Sequence, residues 1–511
     1  MTSFRHRILA PGMLTVSAAV ALSLGHAGAA HAQAAPFSFT ADDLVVAVEG
    51  NGSGTAATAS GNNGADAGLY LDNQAAPMTL DEFSLTGTTG ALEVGSLMLP
   101  QTSVAGGNYA VSGEYGSSSE ATLQLSGNGQ YLTIMGYAVN AESYNSSYDL
   151  DGGGTSLAQS PNSTTNPGSI PNVARDIALI SANGTVNSTT ALSNVFNANN
   201  PRSVYTENGT SFYISGQGNK DLTGGVFYVA NVGATTATPI TGADTSSKSN
   251  GTYNQDTRDV QIVNGQLVVS VDSSEGTASK GLDIDRVGTL GSPGNPPTTT
   301  LNQQPVALNG INGEVTLSNG NGNSVNGSSG SVYLSPDNYF FANASTLYIA
   351  DTGDPKNGNQ GTGSGSLGDG GLQKWTLNAS TGMWQLDYTL SGGLNLVSNA
   401  DGTATHGVSG LYGLTGKVVG NQVELFATSY VLGDTDQTYL YGITDTLSAS
   451  IAAEASGEQF TTLAVAPADT EFKGVSFAPA STVPLPPSLS LMLGGLALLG
   501  IAGMRKSVRA C

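Results

Sequence analysis

Val263-Asn264-Gly265-Gln266-Leu267-Val268 places a polar two-residue turn between two apolar runs. Asn and Gly both accept positive φ, so the stretch predicts a tight β-hairpin. Four further stretches have the same form: Gly127-Asn128-Gly129-Gln130-Tyr131-Leu132, Glu207-Asn208-Gly209-Thr210-Ser211-Phe212, Ala342-Asn343-Ala344-Ser345-Thr346-Leu347 and Gly420-Asn421-Gln422-Val423-Glu424-Leu425. The asparagines are spaced by 80, 56, 79 and 78 residues, which suits four-stranded units with long connections. Each turn is expected to join two strands lying side by side within one unit.

Around these turns, residues 33–482 carry many short runs of Val, Ile, Leu, Tyr and Phe bounded by Gly-rich turns, and no convincing amphipathic helix. With 69 Gly and only 11% charged residues, the chain reads as all-β. The expected architecture is a β-propeller of seven blades, six also fitting. A pair of β-sandwiches or a β-solenoid accounts less simply for units near 80 residues apart. The apolar runs at 43–48 and 472–477 are placed to pair and close the ring. Asp151–Gly168, Gly291–Gly330 and Lys356–Gly371, rich in Gly, Ser, Asn, Thr or Pro, are expected to be surface loops.

Ala342-Asn343-Ala344-Ser345-Thr346-Leu347-Tyr348-Ile349-Ala350-Asp351, followed by Gly370-Gly371-Leu372-Gln373-Lys374-Trp375, is similar to blade segments of NHL-like bacterial β-propellers. Phe472-Lys473-Gly474-Val475-Ser476-Phe477-Ala478-Pro479 resembles the closing strand of exported propellers of uncharacterised function. With Asp43–Val48 and Arg175–Ile180 the resemblance spans most of the body. It implies a fold and carries no activity.

The two ends predict export. Arg5 and Arg7, an apolar run from Ile8 to Leu24, and Ala30-His31-Ala32 make a secretory signal peptide over residues 1–32, with Ala30 and Ala32 as its small cleavage-site residues. At the other end stand Val483-Pro484-Leu485-Pro486-Pro487, an apolar run from Ser488 to Met504, then Arg505, Lys506 and Arg509. As a helix the run is about 25 Å long, enough for a thin bilayer. The basic end should stay cytoplasmic, leaving the body, residues 33–482, outside.

This three-part ending over residues 483–511 resembles the PEP-CTERM sorting tail in its Val-Pro-Leu-Pro variant, with Leu485 where Glu is usual. The resemblance implies an exosortase-like sorting enzyme in an exopolysaccharide-producing Gram-negative bacterium. Together with the export machinery, it implies an intermediate anchored in the inner membrane and then a place at the cell surface or outside the cell.

Composition excludes several chemistries. The net charge is −22, and five of the 16 basic residues lie in the two ends, leaving the body 11 against 38 acidic residues. Such a surface repels nucleic acid. The single cysteine, Cys511, lies in the tail, so the body has neither disulfide nor thiol nucleophile. His406 is the one histidine outside the leader, which excludes a multi-histidine metal site. It reads as a solvated loop residue, with no Gly-x-Ser-x-Gly elbow to serve. The Gly-rich runs lack the Lys-Ser/Thr pair of a phosphate loop.

Asp351, Asp354, Asn357 and Asn359 offer hard oxygens that suit calcium, without the spacing of an EF-hand. The pairs Asp283/Asp285 and Asp434/Asp436 read as solubilised strand ends. Trp375, Trp384 and Tyr388 read as core packing in preference to a sugar platform. The function expected is non-enzymatic: a surface or matrix protein whose loops bind exopolysaccharide, another glycan or an envelope protein. The alternatives are a calcium-dependent propeller hydrolase of lactonase or esterase type, and a structural matrix component without a specific ligand.

Overall fold

The computed structural model describes residues 37–50, 74–117, 119–147, 157–161, 172–218, 223–241, 256–272, 285–301, 303–312, 314–316, 331–353, 370–397, 406–433 and 436–481. The expected leader and sorting tail, with Ala30, Ala32, Val483, Pro484, Leu485, Pro486, Arg505, Lys506 and Arg509, lie outside them. So do Asp354, Asn357, Asn359, Asp283 and Asp434.

The described chain is all-β, laid down as antiparallel meanders in a propeller-like arrangement. β1 (Leu44–Gly50), β2 (Ala75–Leu85) and β3 (Ala91–Met98) pair in order. β4 (Ser112–Glu114) links β2 to β6 (Tyr131–Tyr137), which pairs with β5 (Gln124–Leu125) and leads to β7 (Arg175–Ser181) and β8 (Val186–Leu192).

Four separate four-stranded sheets follow. The first is β9 (Pro201–Tyr205), β10 (Phe212–Gly216), β11 (Gly225–Val229) and β12 (Thr238–Pro239). The second is β13 (Thr257–Val263), β14 (Gln266–Val271), β15 (Arg286–Leu290) and β16 (Val306–Asn312). A hairpin of β17 (Glu314–Thr316) and β18 (Ser331–Tyr333) leads to the third: β19 (Pro336–Asn343), β20 (Thr346–Asp351), β21 (Gly371–Asn378) and β22 (Met383–Leu390). The fourth is β23 (Val408–Val419), β24 (Gln422–Val431), β25 (Tyr439–Thr446) and β26 (Thr461–Val465).

Each of the five turns read from the sequence joins the first two strands of a meander: β5–β6, β9–β10, β13–β14, β19–β20 and β23–β24. In the β13–β14 turn Asn264 and Gly265 adopt φ of 50° and 76°, the paired positive values that a type I′ hairpin requires. The last strand, β27 (Thr470–Phe477), returns to pair with β1, with Leu44 opposite Phe477 and Val46 opposite Val475. The first and last described strands are thereby tied into one sheet, as expected of the runs at 43–48 and 472–477.

The first strands touch one another in a closed circuit, β27 to β5, β9, β13, β19, β23 and back to β27. Gly474 makes one of these contacts fit, since a Cβ there would lie 2.1 Å from Leu123 N and 2.6 Å from Ala121 O. Apolar cores lie between consecutive sheets. Val45, Leu80, Ile134 and Ile180 fill one junction, and Leu192, Val204, Ile214 and Phe227 the next. Val46, Phe83, Phe426 and Phe472 fill the junction that closes the circuit. Strands sandwiched in this way are apolar on both faces, so β20 is buried along its whole length and does not alternate.

Because each first strand runs from one end of its sheet to the other, the two ends differ in kind. The five Asn/Gly turns lie at one, here the turn face. Every internal stretch outside the described residues, Asn302 apart, is entered and left at the other, the insertion face.

Two expectations need correction. Gly291–Gly330 is not one loop: β16 and β17 lie within it, because Ile311 is apolar enough to be buried between sheets. Within Asp151–Gly168, Leu157 and Ala158 pack against Tyr137 and Tyr144. A short helix, α1 (Ala141–Ser147), is present, capped by Asn140 Oδ1 accepting from Ser143 N at 2.7 Å. Among the described residues no helix is long and apolar enough to cross a membrane.

Candidate functional site: a charged axis

Where the first strands begin, at the insertion end of the circuit, side chains that a propeller-like core would exclude are gathered and buried. Arg202 comes from β9, Asp256 and Arg258 from the start of β13, Asp272 from just after β14, and Asp337 from β19. Arg258 is the centre of this group. Its Nη2 lies 3.1 Å from Asp256 Oδ2 and 2.9 Å from Asp272 Oδ2, and its Nη1 3.4 Å from Asp337 Oδ2. The other oxygen of Asp256 meets Arg202 Nη2 at 2.8 Å, and Arg202 Nη2 also donates to Gln217 Oε1 at 3.2 Å.

Burial alone would pull the Arg258 guanidinium down, but Asp256, Asp272 and Asp337 together hold it above its ordinary range. Arg202 is lowered, by burial first and then by the neighbouring Arg258. Its Nε and Nη1 are buried without a hydrogen-bond partner.

A second group sits where β27 meets β1. Lys473 of β27 pairs with Glu471, lies 3.7 Å from Glu49 Oε2 and donates to Ser117 O. Burial pushes Glu49 well above the usual carboxylate range, against the pull of Lys473. Glu120 is also raised by burial, although Tyr137 and Asn200 donate to it. Tyr412 of β23 ties the groups to the circuit, donating to Glu120 O at 2.6 Å.

Further along the axis Gln124 of β5 reaches Ser203 of β9 and Asp259 of β13. Each first strand therefore places polar groups on the axis, and these bond mainly to one another. The carboxylates that could converge on a metal are instead held by guanidinium and ammonium groups. Among the described residues no group of three or more His, Cys, Asp or Glu is arranged to hold a metal ion.

A separate buried constellation clasps two neighbouring sheets. Lys374 Nζ of β21 lies 2.7 Å from Asp445 Oδ2 of β25 and donates to Thr446 O at 2.7 Å. Tyr388 OH donates to Asp445 Oδ1 at 2.5 Å, and Tyr348 to the other oxygen.

Of the four residues expected to offer calcium ligands, Asp351 alone is described. It is buried, and its oxygens accept from Gly353 N (2.8 Å), Ser335 N (3.0 Å) and Gln373 Nε2 (2.8 Å). Its carboxylate is committed to closing the start of the insertion. His406 is 54% exposed in its side chain and 3.0 Å from Asp436 Oδ1, the solvated position expected. Trp375 and Trp384 are core residues, on neighbouring strands β21 and β22.

The axis escaped the sequence reading, yet a signal was there. Arg202, Arg258 and Asp337 each stand six residues before a turn asparagine, at Asn208, Asn264 and Asn343. In a chain with 11% charged residues, a charge recurring in that register within apolar strands marks a shared site.

No family model matches the chain, and no curated protein matches it. Among solved structures it is similar to the crystal structure of an ACO/RPE65 chimera, at 10% identity, covering 82% of this chain and 63% of that one, with a TM-score of 0.23. The chain thus spans less than two thirds of that protein's length.

Proposed function

We propose that this chain is an exported, surface-held β-propeller of six blades that acts by binding glycan or protein in the envelope and not by catalysis. The five turn-joined meanders and the strands paired through β27 support six blades, one of the two numbers that fit the sequence, over the seven first expected. The observation that carries the functional reading is the commitment of Asp256, Asp272 and Asp337 to Arg258. In a calcium-dependent hydrolase those axial carboxylates would hold the ion that activates water; here they neutralise a guanidinium. The insertion face, where segments rich in Ser, Thr, Asn and Gly begin and end, supplies hydroxyl and amide groups suited to polyols. An exosortase-like enzyme and the inner membrane remain the proposed handlers of residues 483–511.

The test is calorimetric titration of residues 33–482 with calcium, beside thermal unfolding with and without EDTA, followed by binding to envelope polysaccharides. Saturable calcium binding that raises the melting temperature would favour the hydrolase and call for an esterase and lactonase screen. Polysaccharide binding without a calcium effect is the expected result. Binding to no tested glycan or envelope protein would favour a structural matrix role.

A further inference from the structure

We infer that the turn face lies against the lipid surface holding the chain's own tail, so that the insertion face and the charged axis point away from it. The inference rests on the proposed membrane-held tail. β27 is the last strand, and it runs toward the turn face, ending at Phe477 opposite Leu44. The chain then stays there: Ala478 N donates to Asp43 O at 2.8 Å, and Ala480 N to Gly129 O, within the β5–β6 turn, at 2.8 Å. Seven residue steps separate Ser481 from the apolar run at Ser488, a reach of at most about 25 Å. The tether is too short to let the molecule turn over freely.

Among the described residues charge does not choose between the faces: the turn face carries the exposed Asp42, Glu93, Glu207 and Glu454, and Asp256, Asp272 and Asp351 at the opposite end are buried, two of them on Arg258. The tether is what sets the face that meets the lipid. The insertion face is then free for a polysaccharide or soluble partner.

The test uses the full chain in vesicles of phosphatidylethanolamine and phosphatidylglycerol carrying a headgroup-nitroxide lipid. In a Cys511→Ser background, one fluorophore is placed at Asn421→Cys on the turn face or at Ala468→Cys on the insertion face. Both positions are exposed, and β24, ten residues long, separates the two ends by about 30 Å. The expected result is co-flotation with the vesicles and quenching several-fold stronger at position 421 than at 468. Co-flotation with equal quenching, or stronger quenching at 468, would overturn the orientation and leave the tail reading intact. Failure to co-float would overturn the tail reading and the orientation with it.

Discussion

Gln124 Nε2 lies 2.5 Å from Asp259 Oδ1, joining β5 to β13 across the axis although 135 residues separate them in the chain. Asp259 also accepts from Ser203 Oγ at 3.0 Å and Gln261 Nε2 at 2.6 Å. One carboxyl group therefore gathers three of the strands that form the circuit.

Burial pushes the Asp259 pKa up to about 7, against the hydrogen bonds from Gln261 and Ser203 that favour the ionised form. The folded value exceeds the unfolded one, so the unfolded chain gives up its proton first. Stability from this group is whole below about pH 4 and is lost as pH rises to about 7, a loss of at most about 4 kcal/mol. Asp259→Asn should flatten that slope, matching the parent protein near pH 4 and exceeding it near pH 8. Urea unfolding across this range measures it; parallel slopes for the two proteins would show that Asp259 does not carry the proton.

Arg258 holds three buried carboxylates and Arg202 shares one of them. Arg258→Met leaves Asp256, Asp272 and Asp337 without their main cation and should cost about 3–5 kcal/mol. Arg202→Met should cost less, because it removes a guanidinium whose Nε and Nη1 bond to nothing. Denaturant midpoints of the two variants decide the order.

Asp176 of β7 is fully buried, and neither carboxylate oxygen meets a donor from another residue. Burial holds its pKa well above the ordinary value, so the stability this group contributes is whole below the ordinary carboxylate range and is lost as pH rises. Asp176→Asn should stabilise the protein by about 1–3 kcal/mol at pH 8 and have little effect near pH 3, as thermal melts at the two pH values would reveal.

Gly474→Ala forces a methyl group into Leu123 N and Ala121 O, and should cost a few kcal/mol by separating β27 from the segment before β5. Gly457→Ala, where nothing lies within 4 Å of the added carbon, is the matched control and should be near neutral. Equal melting temperatures for the two variants would mean that the circuit tolerates a gap at this joint.

Turn positions and strand class were legible because both are local. Asn264-Gly265 needs only its own φ values to make a hairpin, and the run Thr346–Asp351 needs only its side chains to prefer a sheet. The pairing of the runs at 43–48 and 472–477 was legible for a different reason: a closed ring leaves its first and last apolar runs no other partner. The strand in Val306–Asn312 was hidden by the Gly- and Asn-rich sequence around it, which composition alone assigns to a loop.

By itself, the sequence determined an all-β chain of repeated turn-joined meanders, with the runs at 43–48 and 472–477 placed to pair. Only the tertiary structure decided that Arg202, Arg258, Asp337 and Lys473 share one buried axis, that Asp351 spends its oxygens on backbone and amide donors, and that the turns and insertions take opposite faces. Those outcomes depend on which groups leave water together. A charge in a strand becomes a paired axial residue or a solvated one according to which strands meet it, as Asp337 meets Arg258 from 79 residues away, and no local propensity encodes that choice.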